Sequence, residues 1–201
     1  MDLLTLLPLL LFGVYLLNRR DQRDRITLLG SYLSRYRIEK LMENLMQGYM
    51  RALGESDPAR QAAIWSMLST AETELSGQFN AFTLDFAKVD EAQTRVSKLA
   101  LALPYASRWL ASQTFDLRKA LGIHAHALAQ ATSAGQPQDP KRKAFTLMAE
   151  LMLMQHTCHW FCRSRTVAST RLLARHQTTY EQVLAAVAPD TRQAYLALIR
   201  A

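Results

Sequence analysis

The residues best suited to chemistry stand in one run, His156-Thr157-Cys158-His159-Trp160-Phe161-Cys162. On a helix His156 and His159 are three apart and Cys158 and Cys162 four apart, so each pair shares a face, and imidazole with thiolate suits zinc or iron. The two pairs point differently, because Cys158 lies about 200° around the helix from His156 at 100° per residue. One metal ion cannot easily take all four. Completing a site would fall to His124, His126 or His176 on other helices. There is no second Cys-x-x-Cys or His-x-x-x-His element, and the haem-attachment order Cys-x-x-Cys-His is absent. The plainer reading is packing: cysteine is a frequent core residue, and histidine beside tryptophan is often a satisfied half-buried side chain. Metal or haem binding by His156, His159, Cys158 and Cys162 is therefore the alternative function, and no cofactor is expected.

Other catalytic constellations are missing. No pair of Glu-x-x-His elements could hold two irons in a bundle, and there is no Gly-rich phosphate loop or Gly-x-Ser-x-Gly elbow. Nothing in the chain argues positively for an enzyme.

Basic residues form two groups. Arg19, Arg20, Arg23 and Arg25 follow directly on an apolar run and suit anionic headgroups, although Asp21 and Asp24 interleave and topology setting alone would explain them. Arg171 and Arg175 are four apart and share a helical face, with Lys141, Arg142, Lys143, Arg163 and Arg165 before them. That face suits an acidic partner or simply solvent, whereas no helix-turn-helix or RNA-binding signature supports nucleic acid. The 24 Lys and Arg against 17 Asp and Glu, a net charge of +7, suit any anionic partner and choose among none.

The elements that must position these residues are helices. With 49% hydrophobic and 20% charged residues and only 7 Gly and 6 Pro in 201 residues, the chain is folded and poor in helix breakers. No run alternates in the manner of a half-buried strand, so the expected fold is all-α. Cys158 and Cys162, four apart in a helix, are expected as reduced thiols.

The run Leu3 to Leu17, LLTLLPLLLFGVYLL, carries no charge. As a helix with its flanks it covers roughly 25 Å, short of a typical hydrocarbon core but workable with snorkelling arginines. It lacks a basic residue before the run and a small-residue cleavage site after it, as a signal peptide would need. Asp2 before and the arginines after place the amino terminus outside and the remainder inside. The expected organisation is thus an anchor over residues 1–18 and a cytoplasmic helical-bundle domain over 19–201.

Within that domain an amphipathic helix is expected from Arg25 to Leu53, and a second from Ser56-Asp57-Pro58 to about Lys88. A third starts at Asp90 and Glu91 and runs until Pro104, with a continuation from Tyr105 toward Ala131. Thr132 to Asp139 reads as a loop, Asp139 caps a helix through Phe145 to Phe161 and more sparsely to Val187, and Thr191 to Arg200 closes the chain. Phe145 to Cys162 holds no Lys or Arg, but Glu150, Gln155, His156 and His159 would be costly facing lipid, so it reads as a buried bundle helix rather than a second span. The sum is one transmembrane helix followed by an up-and-down bundle of about four to six helices.

The layout of an uncharged span, Asn18-Arg19-Arg20 and a long helical bundle, with the stretch Arg35 to Tyr49, RYRIEKLMENLMQGY, loosely resembles the LemA family of membrane-anchored helical proteins. The resemblance is one of layout, and no residue is carried over from it. The expected function is a single-pass protein of the cell's inner membrane, non-catalytic, serving interaction or assembly in the cell envelope. Its expected contacts are membrane lipid and a partner helix or a second copy paired in coiled-coil fashion.

Overall fold

The computed structural model describes residues 3–133 and 139–200, with side chains from Leu7 onward. It is all-helical apart from two three-residue strands, and the described residues form ten α-helices.

Helix α1, Leu3–Leu33, is continuous through the expected anchor boundary at residue 18. Its second half meets the domain at a 3.6-residue period through Asp21, Arg25, Leu28, Leu29 and Tyr32, so the apolar N-terminal run and the domain share one helix. The helix expected from Arg25 to Leu53 is accordingly split. The turn at Ser34–Arg37 separates α1 from α2, Ile38–Gly54, because Tyr36 turns inward to set its ring 5.9 Å from Phe82 and donate its hydroxyl to Asp85.

Helix α3, Pro58–Phe86, starts where proline fits the first turn, with Asp57 accepting the N–H of Ala59 at 2.8 Å. Phe79, Phe82 and Phe86 on its inner face are fully buried and stack in sequence at 5.6 and 5.7 Å. Gly48 of α2 lies where a Cβ would collide with the Leu68 side chain of α3, so Leu68 fills the space that a side chain there would need.

The third expected helix is overturned after one turn. Helix α4, Glu91–Thr94, gives way to strand β1, Arg95–Ser97, which pairs antiparallel with β2, Thr114–Asp116, setting Val96 opposite Phe115. Thr94 stops the helix by donating its hydroxyl to Asp116 across the chain at 2.9 Å. Asp116 also caps the helix that follows. A three-residue strand is too short to print an alternating pattern, which is why both strands escape a reading by periodicity. Between them lie a loop, the short helix α5, Ala106–Trp109, and a 3-10 turn at Ala111–Gln113.

Helix α6, Leu117–Thr132, precedes residues 134–138, where most of the expected loop lies outside the described residues. Helix α7, Pro140–Cys162, is capped by Asp139 and buries residues on all sides, as a bundle helix rather than a second span. Its expected sparse continuation breaks at Arg163 into α8, Arg165–His176, α9, Tyr180–Ala186, and α10, Pro189–Arg200.

Helices α2, α3, α6 and α7 pack in that order, with α7 closing back on α2 around the main core, and α8 and α9 pack against another side of α7. A buried polar tie crosses the ring. Glu72 of α3, 5% exposed, accepts the Tyr49 hydroxyl of α2 at 2.7 Å and pairs with Lys143 of α7.

Candidate functional site

From Leu7 to Leu17, α1 stands free of the domain. Leu7, Leu9, Leu10, Leu11, Phe12, Val14, Tyr15, Leu16 and Leu17 are all exposed, between 38% and 64%. The consecutive residues Leu9 to Phe12 advance about 100° each and together sweep the whole circumference, so the arm has no covered side. Among the described residues no helix is long and apolar enough to cross a membrane.

Of the four arginines expected at the foot of this arm, Arg19, Arg20 and Arg23 are exposed. Arg25 is not available to a headgroup. It falls on the inner face with Asp21, its partner at 3.4 Å, donates to the carbonyl of Arg95 at 3.1 Å and to the Ser107 hydroxyl, and lies 5.3 Å over the Phe161 ring. Its charge is spent fastening α1 to α7 and to the β1–α5 segment.

The His–Cys run sits on the last two turns of α7, and its members turn to different neighbours. His156 is 1% exposed, with Nε2 3.1 Å from the Ser169 hydroxyl of α8 and its ring 4.6 Å from that of Tyr180. Burial, reinforced by the charge of Arg165 and by His159, pushes its pKa down to about 3. Cys158 and Cys162 are free, half-buried and packed against the main core. Burial raises the Cys158 thiol to about 12 and the Cys162 thiol to about 11, which leaves neither as a ready thiolate. His159 alone reaches the surface of the groove described below, its pKa lowered by burial and by Arg171, Arg175 and His176. Among the described residues no three His, Cys, Asp or Glu side chains are placed to hold a metal ion. His126 pairs with Gln130 and His176 with Gln155, so neither completes the run.

A buried chain that sequence order could not reveal links α6, α7 and α10. His124 Nε2 lies 3.1 Å from Thr157 Oγ1, which in turn lies 3.0 Å from the Tyr195 hydroxyl. His124 is 1% exposed and burial holds its pKa near 3. Only the i, i+4 partnership of Thr157 with the Leu153 carbonyl, at 2.9 Å, was local enough to be foreseen.

Arg171 and Arg175 are exposed on α8 and line a hollow of about 460 Å³ with His159 and Gln155. Arg175 also borders a larger open groove, about 1010 Å³, between α2 and α7. Its apolar wall is Met42, Met46 and Met50 from one helix and Met148 and Met152 from the other. None of these methionines stands out as a site in the sequence, and it is the tertiary packing of α2 beside α7 that makes them a groove.

The fold and these surfaces define an all-helical domain carrying an uncovered apolar helical arm. In comparison with known proteins, no family model, curated protein or solved structure matches the chain.

Proposed function

We propose that this chain is a membrane-anchored, non-catalytic interaction or assembly protein of the cell envelope, held in the inner membrane by the apolar half of α1. The observation that carries this reading is the arm's exposure on every side. Full burial of each such side chain is worth about 1.5–3 kcal/mol, so nine of them leave on the order of 10 kcal/mol to be gained by a covering medium. A partner helix would cover one side; a bilayer covers all.

The fifteen residues Leu3 to Leu17 rise roughly 22 Å, so a crossing draws on local bilayer thinning and on snorkelling by Arg19, Arg20 and Arg23. Those arginines keep the domain on the cytoplasmic side and the amino terminus outside. The methionine-walled groove and the Arg171–Arg175 face beside it are where this reading seats an acidic protein partner, since flexible methionines repack around an apolar helix and the arginines meet its carboxylates.

Alkaline extraction of membranes and labelling of Asp2→Cys with a membrane-impermeant maleimide test the anchor. Retention in the pellet with labelling from outside is expected. Full release without detergent refutes the anchor, and retention without labelling refutes the crossing. Photo-crosslinkers at Met50 and Arg175 are expected to trap one common protein that a crosslinker at Met67, exposed on α3, does not; equal capture from all three refutes the groove as its seat.

A further inference from the structure

Outside the arm, four exposed large apolar side chains fall in one short stretch: Leu101 at 69%, Leu103 at 53%, Trp109 at 83% and Leu110 at 43%. This stretch is fastened to α1 directly below the arm. The Asn18 side chain donates to the Ala102 carbonyl at 3.4 Å, the Tyr105 N–H donates to Asp21 Oδ2 at 3.3 Å, and Arg25 donates to the Ser107 hydroxyl. Tyr105 is held at φ 56°, in the left-handed region that a tyrosine rarely adopts, so tertiary contacts define the path of this segment.

The level is set by these bonds. Leu101 and Leu103 flank Ala102, whose partner Asn18 is the residue after Leu17, the last apolar residue of the arm. Ser107 is tied to Arg25, about 10 Å further along the helix axis. The segment therefore occupies the zone just outside a hydrocarbon core that contains the arm, where tryptophan is enriched and leucine side chains dip inward. Exposed Arg19, Arg20, Arg23 and Arg108 accompany it and suit anionic headgroups.

We infer that Leu101 to Leu110 is a second membrane contact, an interfacial shelf that rests on an anionic lipid surface and fixes the orientation of the domain beneath the arm. This inference rests on the reading that the arm lies in lipid. Alone, the arm leaves the domain free to rotate about α1; the shelf, displaced to one side of the helix, selects one face toward the membrane.

The test uses the full chain reconstituted into phosphatidylcholine–phosphatidylglycerol vesicles whose lipids carry bromine at shallow or deep acyl positions. Trp109 is far more exposed than Trp65, which packs against the core, or Trp160, 3% exposed. Shallow bromines are expected to quench tryptophan emission, and Trp109→Phe to remove most of that quenching without loss of co-sedimentation. Leu101→Ser with Leu103→Ser and Leu110→Ser is expected to return Trp109 to full quenching by aqueous iodide while the protein stays on the vesicles. Co-sedimentation with no difference between wild type and Trp109→Phe overturns the shelf and leaves the anchor standing. Failure to co-sediment removes the anchor, and the shelf with it.

Discussion

Leu10 is the middle residue of the apolar run and is 64% exposed, so a change there separates membrane insertion from folding. On an insertion scale, leucine near a span's centre contributes about −0.3 to −0.6 kcal/mol and arginine about +2.5 to +3.5, so Leu10→Arg costs insertion about 3–4 kcal/mol. At about 1.4 kcal/mol per decade this is a hundredfold to thousandfold weaker partition into lipid. The same substitution touches nothing in the domain, whose contacts with α1 begin near Asn18, so its stability should move by no more than about 0.5 kcal/mol. Flotation of the purified protein with vesicles measures the first quantity and urea unfolding the second. Leu10→Asp is expected to behave in the same way as Leu10→Arg, whereas Leu10→Phe should float as the wild type does. If Leu10→Arg floats as well as the wild type, the arm is not what holds the chain in lipid. If it lowers domain stability by several kcal/mol, the arm packs on protein and its exposed state is wrong.

Stability should also depend on pH through the two buried imidazoles. His124 and His156 have pKa values pushed down to about 3, against about 6.5 in an unfolded chain, so between those values the unfolded state binds more protons. Stability therefore rises with pH across that window and is lost as pH falls below about 6.5, by several kcal/mol between pH 7 and pH 5 if both rings remain neutral. Urea midpoints across this range measure the slope; His124→Gln with His156→Gln should flatten it, and an unchanged slope would show that these rings are not its source. Glycine positions supply a paired check on helix packing. Gly77→Ala on α3, where a Cβ meets nothing within 4 Å, should stabilise by about 0.5–1 kcal/mol, whereas Gly48→Val should destabilise by about 1–3 kcal/mol through its clash with Leu68, both read from urea unfolding. Equal effects of the same sign would contradict the packing of Leu68 against Gly48.

Local chemistry made much of the helical content legible. Asp57-Pro58 and Asp139-Pro140 start helices because a carboxylate takes the orphan N–H groups while proline needs none. The phenylalanines of α3 at three- and four-residue spacing could only line one face, and that face is the core. The uncharged run Leu3 to Leu17 stood out as apolar by composition alone. All of these signals act within a few residues of the chain, which is why they survive without knowledge of the fold.

What required the tertiary structure is whatever depends on a partner distant in sequence. Thr94 ends a helix because Asp116 accepts its hydroxyl, and the resulting strand pair has no periodic trace. Arg25 reads as one of four similar arginines until Asp21, Ser107 and the Arg95 carbonyl claim it for the domain. Helical spacing in the His–Cys run already sets the two histidines apart from the two cysteines, but it decides only which face a side chain leaves from. The neighbours on that face, Ser169 and Tyr180 for His156 and the main core for the two cysteines, separate its members. The run Leu3 to Leu17 was apolar in sequence, but an apolar helix can lie in a core or in a membrane. The exposure of Leu7 to Leu17, before the hydrogen bond of Asn18 to the Ala102 carbonyl, is a property of how the rest of the chain packs, and that packing leaves these side chains uncovered by the domain.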